Sequence, residues 1–387
     1  MFKSFRIGSL FGIPIKLDVT FLLILPIFAY IIGIQIEPLV EILNAGLGAG
    51  IDTEAVTTGY QPWVLGFIAA VGLFVGVVLH ELGHSLTAQR YGFPIDSITL
   101  WLLGGIAALS EMPENWRQEF VIAIMGPIVS VAVGVVSYGL FLATPAGWDG
   151  TLFVLSYLAI LNIALAGFNM LPAFPMDGGR VLRALLARNQ PYAQATQQAA
   201  TIGKGFAFLL GLLGLLAFNI ILIAVAFFIY IAASSEAQQV VMKATFEGVT
   251  VADIMTPQES LHTVTPATTL EDLLQRMFRE RHTGYPVLEN GRLVGLVTLS
   301  DAQTVKPVER EAFTVEDVMT ADVESIEPSA DAMTAIQRMQ RGGFGRLIVM
   351  EQDELVGIVS RSDVMTALDI IRKTGRVDLS RGREPTY

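Results

Sequence analysis

With 387 residues, 52% of them apolar, and a mean hydropathy of +0.56, the chain is too hydrophobic for a single soluble enzyme. Its formal charge of −11 includes no basic stripe, which argues against nucleic acid as a partner. There are no cysteines, so disulfides and thiolate metal sites are excluded and any metal must rest on His, Asp or Glu.

The apolar residues are unevenly placed. Up to Ala233 the chain is a succession of long apolar stretches, and after it come ordinary mixed patterns. Before Gln239 there are 9 basic and 13 acidic residues, and after it 16 and 23. Spanning helices are predicted over Leu17–Ile36, Trp63–Arg90, Phe120–Ala143, Leu152–Leu171, Gln194–Ala217 and Asn219–Ala233. Each is near the ~20 residues that cross a bilayer core, except the short last one. The first run is too long for the core of a cleavable signal peptide.

If six spans alternate, Lys3, Arg6, Lys16, Arg90, Arg117, Arg180, Arg183 and Arg188 share one side, while Glu37–Pro62 and Thr144–Gly150 contain no Lys or Arg. The positive-inside rule then puts both termini in the cytoplasm of a cell-membrane protein. The stretch Gly205–Ala233 would also fit one long helix, which would put the C-terminal region outside. A hairpin turning near Phe218-Asn219 is preferred, and it draws Lys204 into the fifth span, where it must snorkel or face protein.

Between the second and third spans, Phe93–Ser110 is apolar but does not read as helix. Ile95, Ile98, Thr99, Leu100 and Trp101 favour strand, Gly104-Gly105 reads as a turn pair, and Ile106–Leu109 follows. A two-stranded hairpin dipping into the membrane would have to line a protein cavity, because open strand edges are not tolerated against lipid. A loop lying on the headgroups is the alternative.

Two of the four histidines fall in His80-Glu-Leu-Gly-His84. Residues four apart share a helix face, so both imidazoles can reach one zinc ion, and Glu81 at the edge of that face can take a proton from water activated there. An ionisable cluster inside a spanning helix is costly and marks function. Gly72 and Gly76 read as packing positions. A catalytic zinc needs a third protein ligand, and Asp177 is the candidate. The run Asn169-Met-Leu-Pro-Ala-Phe-Pro-Met-Asp-Gly-Gly-Arg180 closes the fourth span. Its prolines break the helix and its glycines allow close backbone approach. Asp177 could also cap the helix Gly178–Ala187, alone or in addition.

Together, H-E-L-G-H on the second span and N-x-x-P-x-x-P-x-D-G-G closing the fourth resemble the site-2 proteases, intramembrane zinc metalloproteases, over about Phe5–Ala233. The resemblance implies one Zn2+ per chain held by His80, His84 and Asp177. It makes Glu81 the general base and gives Asn169 the substrate carbonyl or developing oxyanion. It further implies that the Gly104-Gly105 hairpin offers a strand edge to an unwound segment of a single-span membrane substrate. Many relatives carry a PDZ domain, but the Glu37–Pro62 loop is far too short for one. His84 lies six residues, or about 9 Å of helix, from Arg90, so water should reach the site from the cytoplasmic side.

After Ser234-Ser235 the chain repeats itself. Thr250-Val-Ala-Asp-Ile-Met-Thr256 recurs as Thr314-Val-Glu-Asp-Val-Met-Thr320, and Leu293–Asp301 recurs as Leu355–Asp363, at offsets of 64 and 62 residues. Two copies form one pseudo-symmetric domain rather than a solenoid. The repeat resembles a CBS-domain pair, which implies adenine nucleotide (ATP, ADP or AMP) at Gly295, Thr298, Asp301, Gly357, Ser360 and Asp363, and pairing of two chains into a homodimer. Thr298 and Ser360 would serve equally as helix caps. Met255 and Met319 read as apolar packing, and His262 and His282 as surface residues without metal-like spacing.

The predicted architecture is a multi-pass α-helical membrane domain over 1–235, of about six spans plus a membrane-dipping β-hairpin. A linker over 236–248 leads to an α/β tandem CBS domain with copies at 249–305 and 314–370, then a polar tail over 371–387. CBS pairs also hang from channels and transporters, but transport would call for polar residues along the spans and repeats among them. A scaffold with structural zinc would have no need of a base at Glu81.

Overall fold

The computed structural model describes residues 4–101, 104–109, 113 and 115–374. The chain divides after Val240 into two units.

The first unit opens with a strand pair, β1 (Ser4–Leu10) and β2 (Ile13–Asp18), turning at Phe11 and Gly12, both with positive φ. Asp18 ends β2 and caps α1 (Val19–Ile34) by accepting from the Thr20 N–H at 2.9 Å. At Gln35 the chain bends by 68° into α2 (Ile36–Leu47), followed by α3 (Thr53–Thr57). The predicted straight run Leu17–Ile36 is thus a strand end, a shorter helix and a bend. Ile36, Val40 and Leu43 of α2 are drawn sideways onto Leu65, Ala69, Leu152 and Phe153 in one apolar cluster.

Next come α4 (Gln61–Arg90), β3 (Ile95–Trp101), β4 (Gly104–Leu109), α5 (Trp116–Ala143), α6 (Asp149–Asn169), α7 (Asp177–Ala187), α8 (Tyr192–Leu216) and α9 (Ile220–Thr245). Five of these helices are long and apolar enough to cross a membrane, or six spans if α1 and α2 count as one. The preferred hairpin is present: Phe218 has φ 52°, and Asn219 Oδ1 accepts from the Leu222 N–H at 3.0 Å to start α9. Lys204 faces protein, its Nζ 5.8 Å from the centre of the Tyr230 ring. The final span, read as short, continues through its polar end to Thr245. The glycines at 72 and 76 do pack: a side chain at either would meet Leu158 or Asn162 of α6.

The strands join into one sheet in the order β1-β2-β3-β4. The hairpin was expected, but its docking on the N-terminal strands was not: β2 runs parallel to β3, with Ile15 opposite Ile98 and Leu17 opposite Leu100. Gly104 and Gly105 are not the turn. They lie in β4 opposite Trp101 and Leu100, and residues 102–103 lie outside the described residues. Ile13 and Ile98 are fully buried against Leu82 of α4, which seats the sheet on the helix that carries both histidines.

The second unit comprises α10 (Val251–Ile254), β5 (Thr256–Pro257), α11 (Leu270–Glu280), β6 (Gly284–Glu289), β7 (Arg292–Thr298), α12 (Leu299–Ala302), β8 (Ser325–Ile326), α13 (Ala332–Gly342), β9 (Arg346–Glu351), β10 (Glu354–Ser360) and α14 (Arg361–Thr374). The two copies exchange edges. β5 of the first copy pairs with β10 of the second, and Thr320 of the second bridges to Leu296 of the first. This exchange explains two glycines. A Cβ at Gly295 would come within 2.9 Å of Met319 Sδ and Thr320 O, and one at Gly357 within 2.8 Å of Met255 Sδ and Thr256 O. Met255 and Met319 pack in the apolar cores of the two copies, as expected. Gly295→Ala or Gly357→Ala in the full chain should therefore cost about 1–3 kcal/mol through overpacking. Hydrogen exchange should accelerate at β7 and β10, and an unchanged pattern would show that the methionines yield.

Candidate metal centre

α4 carries His80 and His84 four residues apart, and α7 begins with Asp177. Their ligand atoms converge. Asp177 Oδ2 lies 3.1 Å from Nε2 of each histidine, and the two Nε2 atoms are 3.2 Å apart. All three residues are buried.

Tautomers follow from the partners of the other ring nitrogens. His84 Nδ1 is 2.7 Å from the Ile122 carbonyl, which only accepts, so the proton sits on Nδ1 and a neutral His84 turns a bare Nε2 inward. His80 Nδ1 lies 2.9 Å from Ser130 Oγ. A bare nitrogen facing a carboxylate oxygen at 3.1 Å is two acceptors in contact, and the arrangement asks for a cation between them. Bonds of about 2.0–2.1 Å at tetrahedral angles would place zinc ligand atoms about 3.3–3.4 Å apart, close to the triangle observed. The donor set, its spacing and the outer anchors all fit a zinc ion.

α5 supplies these anchors from one face, through Ile122, Gly126 and Ser130 at intervals of four. Gly126 lies directly against His84 Nε2, leaving no space for a side chain. The sequence reading missed all three. The available signal was the small-residue pattern Gly126-Pro127-x-x-Ser130, which is common in helices that merely pack.

Asp177 is not a helix cap: Met176 occupies that position, and the carboxylate faces both histidines instead. Gly178 and Gly179 press against the backbone of Met170–Phe174, so the two-proline segment folds back on the start of α7 and presents the carboxylate to α4. Asn169, eight residues earlier, is the half-buried last residue of α6. Glu81 is half-buried, and β4 passes over it so closely that a Cβ at Gly105 would meet Glu81 Cγ at 2.5 Å. The described edge strand therefore runs beside the candidate base.

Arg183, read from sequence as one of the charges that orient the chain, is fully buried. It binds Glu119 of α5 and Glu236 of α9.

In the second unit, Asp301 Oδ2 accepts from the N–H and hydroxyl of Thr298, and Asp363 Oδ2 from those of Ser360, at 2.7–2.8 Å. These are helix-start caps on α12 and α14. Arg346 lies between the copies. Burial pulls its guanidinium below the usual range, while Asp363 and Asp301 pull it back up. Its Nη2 donates to Thr283 Oγ1 at 2.9 Å, and its Nη1 is buried without a partner. His262 Nδ1 lies 3.0 Å from Glu280 Oε2 and its ring 5.1 Å from that of His282, a surface cluster of partly exposed side chains.

Comparison with known proteins places this geometry. The model of peptidase family M50 matches residues 68–147 and 143–212, and that of the CBS domain matches 251–305 and 315–370. A zinc metalloprotease of Methanocaldococcus jannaschii is 37% identical over 95% of this chain and 97% of its own. Rip3 of Mycobacterium tuberculosis is 36% identical over 80% of this chain and 82% of its own. Among solved structures, the site-2 protease from M. jannaschii is 38% identical, covering 61% of this chain and 95% of that one, with a TM-score of 0.42. A relative so similar along almost its whole length, with the M50 match around His80, His84 and Asp177, settles the family: the chain is a zinc metalloprotease of peptidase family M50, the site-2 proteases, followed by a tandem CBS pair.

Proposed function

We propose that this enzyme cleaves peptide bonds within the transmembrane segments of single-span membrane proteins. His80, His84 and Asp177 would hold the zinc. The observation that carries the reading is the triangle of two imidazole nitrogens and a carboxylate oxygen, 3.1–3.2 Å on each side, buried in a bundle of membrane-length helices. When bound there, zinc supplies Lewis acidity that makes water nucleophilic near neutral pH.

The chain's own residues do the rest. Glu81 takes the proton as the water oxygen bonds to the scissile carbonyl carbon, then delivers it to the leaving nitrogen as the C–N bond breaks. Asn169 holds the carbonyl oxygen as negative charge develops. The substrate segment must be extended, since an intact helix hides its carbonyls. The edge of β4 beside Glu81 suits strand addition, with Gly105 giving the clearance. Both termini lie in the cytoplasm by the distribution of basic residues, and water enters from that side.

In the same proposal the CBS pair binds an adenine nucleotide, regulates the protease, and joins two chains as a homodimer. Support for the ligand comes from Arg346 Nη1, a buried donor without a partner, beside the starts of α12 and α14, where phosphate is favoured. Full-chain protein should bind at least one of ATP, ADP and AMP in calorimetry, and Arg346→Ala should weaken that binding about 10–100-fold. Absence of heat with all three nucleotides would remove this part of the proposal.

The protease reading is tested on a tagged single-span protein incubated with purified enzyme, with zinc assayed in parallel. Wild type should cut within the span. Glu81→Gln should keep one zinc per chain and lose about 10²–10⁴-fold in rate. If both variants hold zinc and wild type cuts none of several spans, the proposal fails. Ser130→Ala should lower zinc affinity about 10–100-fold, as loss of an outer anchor does. Chelator competition measures it, and an unchanged affinity would mean that His80 is oriented by other contacts.

A further inference from the structure

We propose that Arg183 is a positioning residue that sets the place of Asp177, through a buried junction joining α5, α7 and α9. The inference rests on the reading of Asp177 as a metal ligand.

Arg183 has no exposed surface. Its Nε donates to Glu119 Oε1 at 2.8 Å, and its Nη1 donates to Glu236 Oε1 at 2.6 Å. The guanidinium carbon lies 4.9 Å from the ring centres of both Phe174 and Tyr192. These partners are informative by location. Arg183 is six residues beyond Asp177 on α7, and Phe174 is three residues before Asp177 in the folded-back segment. Glu119 is three residues before Ile122, the carbonyl that fixes the His84 tautomer. One guanidinium thus ties the helix bearing the carboxylate to the helix that orients the imidazoles.

α7 has 11 residues and follows a two-proline segment, so it is too short to hold its own position by helix propensity. A rigid two-armed fork, with rings on the guanidinium, fixes its axial position and its rotation about that axis. Stability alone explains the network poorly, because a buried ion pair seldom outperforms apolar residues of the same volume. Directional placement is what apolar residues would not supply.

The test uses the full chain in detergent, with Arg183→Lys and the double variant Glu119→Gln/Arg183→Met, which leaves no unpaired Glu119 charge. A reference is Phe153→Ala, fully buried in the cluster with Ile36 and Leu65 and remote from the site. Readouts are zinc affinity by chelator competition, the visible spectrum after Co2+ loading, melting temperature, and kcat and KM on the single-span substrate. The double variant should lose about 10–100-fold in zinc affinity and shift the cobalt spectrum, with kcat reduced and KM within about twofold. Arg183→Lys should fall between it and wild type. Phe153→Ala should melt earlier yet keep wild-type affinity and spectrum. Should the double variant not fold, Arg183→Lys and Glu236→Gln carry the same readouts.

If the Arg183 variants melt earlier but match wild type in zinc affinity and cobalt spectrum, Arg183 is structural only and the inference is overturned. If instead His80→Ala binds zinc as tightly as wild type, the metal-ligand reading falls first and takes this inference with it.

Discussion

Two imidazole nitrogens and a carboxylate oxygen that meet at 3.1–3.2 Å, out of contact with water, need a proton or a metal ion between them. Most features of the membrane unit follow from that constraint. The two histidines need one helix face, which α4 supplies. The carboxylate needs a backbone that leaves the membrane helix and turns inward, which Pro172, Pro175, Gly178 and Gly179 permit. To present the inner nitrogen to a metal, each imidazole needs its proton on the outer one, where the Ile122 carbonyl of α5 accepts it from His84 and the Ser130 hydroxyl can accept it from His80. The site is assembled from three helices, α4, α5 and α7, so its geometry depends on helix packing more than on any local motif.

A second constraint comes from lipid. Backbone donors and acceptors within a bilayer must be satisfied by protein, which ordinarily forbids open strands. Here strands are tolerated where they lie on α4, with Ile13 of β2 and Ile98 of β3 packed against Leu82. The edge that remains on β4 runs past Glu81. A strand edge that would be a liability elsewhere is the feature an extended substrate needs, and the same geometry leaves only a glycine's width over the carboxylate at Gly105. Catalysis and substrate capture therefore share one clearance, which ties the position of the sheet to that of the base.

What was legible in the sequence was local or periodic. His80, Glu81 and His84 announce themselves by helical spacing, the spans by apolar runs, the second unit by its repeat, and the α8–α9 hairpin by the small residues of Gln194–Gly203 that extend the fifth span. What was not legible depends on partners far along the chain. The β1–β2 ribbon passed as a basic flank because all of β1 is exposed and shows no core-facing alternation, and the parallel pairing of β2 to β3 has no local signal. Gly104-Gly105 looked like a turn because Gly-Gly is among the dipeptides that two-residue hairpin turns favour, while the role of Gly105, clearance over Glu81, belongs to a neighbour 24 residues earlier. Ser130 and Gly126 resemble ordinary packing residues until the histidines are placed beside them.

Arg183 is the most instructive of these cases. Counted among the charges that orient the chain, it would sit in water or at headgroups, where an arginine costs little. Burying it requires two carboxylates, Glu119 and Glu236, contributed by α5 and α9, and two aromatic rings, Phe174 and Tyr192. An uncompensated charge there would cost several kcal/mol, so each partner is held in place as firmly as it holds the arginine. The pair of charges therefore works in both directions: it makes the packing of α5, α7 and α9 mutually conditional and restricts α7 to one position. Apolar contacts between smooth helices permit sliding by small steps, whereas a forked ion pair permits one register. That difference is the physical reason to expect the carboxylate at the start of α7 to be placed by charge, in a domain otherwise held together by apolar packing.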